Sequence, residues 1–113
     1  MRRGEIWVAN LNPTRGAEVG KIRPVLVLQA DWLTEQGART VVALPLSTKV
    51  RSDASALRLT IKARGRLKMD SHVVIEKIRA VDRSRFGEGP LARVDEAELV
   101  AIEQQLKGVL GML

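Results

Sequence analysis

PTRGAEVGKIRPVLVLQ, residues 13–29, admits two readings that lead to different architectures. In one, Gly16, Gly20 and Lys21 form a phosphate cradle that opens a helix, as in nucleotide-binding α/β proteins. In the other, the glycines shape a turn that feeds a strand. A Walker-type loop needs four residues between its glycines, then Lys followed by Ser or Thr, then a helix. Here only residues 17–19 separate the glycines, Lys21 is followed by Ile22, and RPVLVLQ (23–29) is a short continuous apolar run. Such a run reads as a strand buried on both faces, with Pro24, which lacks a donor, at its start. Nucleotide binding by this loop is rejected, and the segment is assigned as loop then strand.

The flanking sequence continues in the same period. GEIWVANL (4–11) has the β-branched and aromatic content of a strand, and TVVALPLS (40–47) is another that bends or ends near Pro45. ALRLTIK (56–62) alternates, with Leu57, Leu59 and Ile61 on one face and Arg58, Thr60 and Lys62 on the other. HVVIEKIRAV (72–81) reads as a fifth strand and LARV (91–94) as a short sixth. The period then changes. Leu99, Ile102, Leu106, Val109 and Leu110 recur at helical spacing, Asp95 and Glu98 have the spacing of a capping box, and Gly111 is placed to stop the helix. With no βαβ alternation, the expected fold is mainly β: one domain over residues 1–113, a small SH3-like antiparallel barrel of five to six strands with one amphipathic C-terminal helix.

Composition narrows the function. The chain carries a formal charge of +6, and the balance is uneven: residues 95–113 carry −3, so residues 1–94 carry +9. A surface of that kind suits a polyanion, nucleic acid before membrane. Cysteine is absent, which excludes disulfides, Cys-ligated zinc and thiol catalysis, and fits a reducing compartment. No apolar run has the length of a membrane span, and MRRGEIWVANL has no signal-peptide core, so a cytoplasmic protein is expected. His72 is the single histidine and has no metal-spaced partner. Asp31, Asp53, Asp70 and Asp82 are scattered without ligand spacing, so no metal or other cofactor is expected.

Three segments offer chemistry. Arg23 stands at the mouth of a buried strand, where a rigid stem would present a planar fork of donors to phosphate; an arginine capping a carboxylate in an exposed loop fits the same composition. PLSTKVRS (45–52) sets Ser47 and Thr48 beside Lys49 and Arg51, as phosphate contacts or as an ordinary polar turn. KARGRLK (62–68) alternates Lys62, Arg64, Arg66 and Lys68 around Gly65, either tracking a nucleic-acid backbone or forming a solvated hairpin tip.

The combination resembles a known family. The R-G-E-I start at Arg3, the N-P-T-x-G-x-E run at Asn12 with G-x-x-R-P behind it, and I-R-x-V-D-x-S-R at Ile78 are similar, in order and spacing, to the MazF/PemK/Kid mRNA interferases. The match covers roughly residues 3–49 and 70–86. It implies a homodimer that cleaves single-stranded mRNA at specific sequences without metal, leaving a 2′,3′-cyclic phosphate and a 5′-hydroxyl. It also implies a cognate MazE-like antitoxin whose acidic segment occupies the RNA groove. By position, the catalytic set is Arg23, Ser47 and Glu18. The RNA-contacting set is Arg15, Lys21, Thr48, Lys49, Glu76, Lys77 and Arg79. Some members carry a histidine one residue before the glutamate; Ala17 stands there, so a mechanism through that histidine cannot operate.

The reaction needs a base, an acid and positive charge for the developing dianion. Arg23 is the electrostatic stabiliser, Glu18 serves as base or as a positioning group, and Ser47 and Thr48 hold the phosphate or the attacking hydroxyl. Two alternatives use the same barrel: a CcdB-like gyrase poison acting through its terminal helix, and a catalytically silent module that binds RNA or antitoxin.

Overall fold

A computed structural model describes residues 1–49 and 58–112. Along the chain it contains β1 (Glu5–Asn10), β2 (Ile22–Val27), a short helix α1 (Asp31–Glu35), β3 (Thr40–Ser47), β4 (Arg58–Ile61), β5 (Ser71–Val74), β6 (Arg79–Asp82), β7 (Ala92–Arg93) and α2 (Glu96–Val109). The strands form an antiparallel sheet in the order β4-β5-β3-β2-β1-β7, with β6 also paired to β3, curled into a half-barrel. There are seven strands among the described residues where five to six are expected. Ala56 and Leu57, expected to begin the fourth strand, lie outside the described residues.

The extra strand comes from the segment expected to be continuous over 72–81. It follows β3 along its length but breaks in the middle. β6 pairs with the first half of β3, from Thr40↔Asp82 to Ala43↔Arg79, and β5 pairs with its end, at Leu46↔Val73 and Ser47↔His72. Between them Ile75–Lys77 form one turn of 3-10 helix. Pro45 lies opposite the break and has no N–H to give a partner strand. The turn buries Ile75 completely and leaves Glu76 and Lys77 half-exposed.

β2 also differs from expectation. Ile22 and Arg23 already belong to it, paired with Asn10 and Ala9 of β1, so the strand starts two residues before Pro24. Val8, opposite Pro24, accepts the Gly87 N–H at its carbonyl and gives its own N–H to the Glu88 carbonyl. On the other side, the ladder to β3 runs only as far as Val25↔Pro45. Pro24 lies just beyond that point, where its missing donor leaves no ladder bond unmade.

Burial of β2 on both faces holds. Leu26 and Leu28 join the larger core with Ile6, Leu44, Leu46, Ile61 and Ile75, while Val25 joins a smaller cluster with Ala9, Leu11, Ala43 and Val81. Each fully buried Leu or Ile contributes about 1.5–3 kcal/mol. Helix α2 closes the larger core with Ile102, fully buried, flanked by Leu99 and Leu106. Its capping box forms as its sequence predicts: the Asp95 carboxylate accepts the Glu98 N–H at 2.7 Å, and Glu98 accepts the Asp95 N–H at 2.9 Å. Gly111 ends the helix at φ +70°. Val109 and Leu110, placed on the inner stripe by spacing, are instead 36% and 51% exposed, and neither joins a core cluster of the described residues. No helix among the described residues is long and apolar enough to cross a membrane.

α1, unmarked in the sequence, fills the β2–β3 connection. Gln29 fixes it: its amide donates to Thr34 Oγ1 and its carbonyl accepts the Val42 N–H. Asp31 accepts the Arg3 N–H at 2.7 Å, and Arg3 bonds the Leu28 carbonyl and Glu103 of α2. The R-G-E-I start therefore staples the N-terminus to β2, α1 and α2. Its glutamate, Glu5, is buried and accepts from the Arg2 amide, the Trp7 indole and Arg93.

Candidate active site

Where β2 and β3 part, a groove of about 700 Å³ opens. Its walls are the β2 entry (Arg23, Pro24), the β3 exit (Leu46, Ser47, Thr48, Lys49), the loop holding Asn12, Thr14, Gly20 and Lys21, and the 66–69 turn. Lys21, Arg23, Lys49, Arg66, Lys68 and Lys77 line it and, among the described residues, no carboxylate does, a charge balance that suits an anion.

Arg23 is the fixed point. Its backbone is held in β2, its Nε donates to the Gly20 carbonyl at 2.6 Å, and its Nη1 donates to the Leu46 carbonyl at 3.2 Å. A half-buried guanidinium tied at two places to main chain has little rotamer freedom left to lose on meeting a phosphate. Ser47 stands across from it at the end of β3, its hydroxyl accepting the Lys49 N–H at 3.1 Å in a tight polar turn with Thr48.

The loop before β2 is tightly built. Lys21 has the left-handed value φ +71°, and its N–H donates to Asn12 Oδ1 at 2.9 Å. Gly20 lies so close to the N-P-T segment that a Cβ there would come within 2.9 Å of both Asn12 Oδ1 and the Thr14 methyl. The I-R-x-V-D-x-S-R segment supports this loop from behind. Arg85 donates to the Asn10 and Asn12 carbonyls, and Arg79 reaches the Leu11 carbonyl at 3.5 Å. Asp82 caps its own turn through Ser84, and those hydrogen bonds, the side-chain one first, hold its carboxyl below the usual range.

KARGRLK joins β4 to β5. It is a tight turn, with Arg64 and Leu67 exchanging backbone bonds and Gly65 at φ +53°. Its side chains divide between two sides. Arg66 and Lys68 line the groove, Arg66 also pairing with Glu88, whereas Arg64 turns to the helix and grips Glu98 with two bonds of 2.5 and 2.7 Å. That pair holds Glu98 below the usual carboxylate range and raises Arg64. At the foot of the turn, Asp70 is also lowered, chiefly by the Ala63 N–H it accepts.

The residues expected at the site are therefore only partly gathered. Arg23, Ser47, Thr48, Lys21, Lys49 and Lys77 share the groove. Arg15, Glu18, Glu76 and Arg79 are not among its lining residues. Glu18 instead accepts the Arg15 N–H and closes its own turn, while Arg79 faces the loop backbone. Asn12, Thr14, Ser71 and Met69 line the groove without having been singled out from sequence. For Asn12 and Thr14, the N-P-T run is the signal that marks them. Among the described residues, no group of three or more acidic or histidine side chains could hold a metal ion.

Comparison with known proteins places the chain in a family. The profile of the PemK-like, MazF-like toxins of type II toxin–antitoxin systems matches residues 2–110. The chain belongs to this family. Endoribonuclease MazF of Staphylococcus saprophyticus is 33% identical over 99% of this MazF-like chain and 92% of its own length. The Staphylococcus epidermidis protein of the same name is 28% identical with the same coverage. The crystal structure of MazF from Deinococcus radiodurans superposes with a TM-score of 0.79 at 26% identity, covering 99% of this chain and 97% of that one. A MazE–MazF crystal structure from that organism matches at 0.73 and 26% identity, covering 100% and 97%. The MazF-like fold thus extends through α2, beyond the 3–49 and 70–86 segments that carry the resemblance in sequence.

Proposed function

We propose that this MazF-like toxin is a cytoplasmic, sequence-specific endoribonuclease that cleaves single-stranded mRNA and is neutralised by a MazE-like antitoxin. The observation that carries the reading is Arg23, pinned by the Gly20 and Leu46 carbonyls in a groove it shares with Ser47, where every charged lining residue among the described residues is a cation. The 2′-hydroxyl attacks its own phosphate in line, and the 5′-oxygen leaves. Arg23 stabilises the dianion as charge develops. A guanidinium stays protonated in proteins, which suits it to donate hydrogen bonds and makes it a poor base. Ser47 and Thr48 hold the phosphate, while Lys21, Lys49 and Lys77 carry neighbouring phosphates, with Arg15 and Arg79 further along the strand. Glu18 serves as base or as a positioning group and must exchange its bond to the Arg15 amide before it can accept a proton. Glu76, beside Lys77, meets the bases. Two chains pair so that RNA, or the acidic antitoxin segment, crosses their interface.

The test incubates purified protein with a long RNA and maps the new 5′ ends. Discrete cuts with 5′-hydroxyl ends, unchanged by EDTA and lost in Arg23→Ala while that variant keeps its fold, are expected. Full cleavage by Arg23→Ala, or intact RNA alongside blocked DNA supercoiling, overturns the assignment.

A further inference from the structure

We propose that Asn12 is a positioning residue for Arg23, acting through the Gly20–Lys21 peptide. The inference deepens the nuclease reading and rests on it for the role of Arg23. A trans peptide unit is rigid and aims its N–H and C=O in opposite directions. The unit between Gly20 and Lys21 is trans and is engaged at both ends. Its N–H donates to Asn12 Oδ1 at 2.9 Å, and its carbonyl accepts Arg23 Nε at 2.6 Å. The Asn12 amide thereby sets the plane of the peptide, and the plane sets where the carbonyl meets the guanidinium. Bonds aligned in series through one amide polarise each other.

Three further features hold the relay in place. Lys21 is the only non-glycine with positive φ among the described residues, a conformation that costs free energy and persists where surrounding contacts enforce it. The Asn12 carbonyl is held from behind by Arg85, and the Leu11 N–H donates to the Lys21 carbonyl at 2.9 Å. Gly20 is small for a reason: a Cβ would intrude on the Asn12 oxygen itself. Without the Asn12 acceptor the peptide can rotate, and Arg23 loses the partner that fixes its Nε while keeping its charge.

The relay is tested by following the Arg23 Nε–H resonance by NMR, assigned by its disappearance in Arg23→Lys, together with steady-state cleavage of an RNA oligonucleotide. In Asn12→Ala the Nε–H should exchange with solvent at least about tenfold faster, and kcat should fall about 10- to 100-fold with KM within about twofold, the scale of a misplaced catalytic group. Asn12→Asp, which keeps the acceptor, should restore the slow exchange. Gly20→Ala, which displaces the same bond without touching Asn12, should reproduce the Asn12→Ala signature and serves if that variant does not fold. Unchanged exchange in Asn12→Ala, or a rise in KM at constant kcat, overturns the relay; the latter would make Asn12 a direct RNA contact. If the wild-type protein cleaves no RNA, the nuclease reading fails while the resonance still decides whether Asn12 orders Arg23.

Discussion

Glu98 is engaged twice: it closes the α2 capping box and clamps Arg64 of the turn that forms one wall of the groove. Replacing it by Gln keeps a carbonyl that can accept the Asp95 N–H but removes the charge that shortens the Arg64 bonds. Hydrogen bonds to charged groups contribute about 1.5–3 kcal/mol when buried. The side chains here are 29% and 22% exposed, so solvent screening lowers that range. We expect Glu98→Gln to destabilise by about 1–1.5 kcal/mol and Glu98→Ala, which also loses the reciprocal cap, by about 2–3 kcal/mol. In a cycle of Glu98→Gln, Arg64→Met and the double variant, the coupling should be about 1 kcal/mol at pH 7.5. The assay is urea unfolding at one fixed protein concentration, since self-association would shift the midpoint.

The pH dependence has a definite sign. The folded-state pKa of Glu98 is lowered, first by the Arg64 bonds. Its contribution is therefore complete above the ordinary glutamate range and declines as pH falls through the lowered folded value. The coupling should shrink over that interval as the wild type is titrated towards acid. A coupling below about 0.3 kcal/mol at pH 7.5, within ordinary additivity, or one that persists undiminished in acid, would refute the reasoning.

Two other perturbations probe the packing and the loop. Gly89→Ala places a Cβ 2.2 Å from the Trp7 ring, so it should destabilise by about 3 kcal/mol; unfolding within 0.5 kcal/mol of wild type (about the scatter of surface substitutions) would show that the ring moves aside. Lys21→Gly should relieve the left-handed strain and raise stability by about 0.5–1 kcal/mol, while RNA binding weakens and the slope of log affinity against log salt falls by about one. Unchanged salt dependence would remove Lys21 from the phosphate contacts.

The parts of the fold legible in sequence were those whose signal is local. The clean period change at Asp95 marks the α2 cap, and the apolar run after Pro24 marks a strand buried on both sides. The break at Ile75–Lys77 was not legible. VVIEKI keeps strand-like composition throughout, and the interruption depends on Pro45, a residue 30 positions earlier that becomes its neighbour only in the folded sheet. α1 is too short to show a period, and it is held by Gln29 and Arg3 rather than by its own pattern. At the site, residue type pointed to Arg23 and Ser47 because a guanidinium at a strand mouth and hydroxyls beside bases are suited to phosphate. It could not place Glu18, whose exposed carboxylate has an alternative partner three residues away. Asn12 has no titratable chemistry to nominate it beyond its place in the N-P-T run, and its contacts with Gly20 and Lys21 exist only in the folded loop.

The separation of β2 from β3 has a consequence for how the groove endures in water. Two strands that diverge would ordinarily expose a row of amide donors, which invite re-pairing or capture by another chain's edge. Pro24 and Pro45 sit at the fork, and neither has an N–H to offer. Just beyond them, Arg23 occupies the Leu46 carbonyl oxygen from within the same chain. The cleft thus resembles a zip with its next teeth missing, two of the donors that would fasten it having been left out of the sequence.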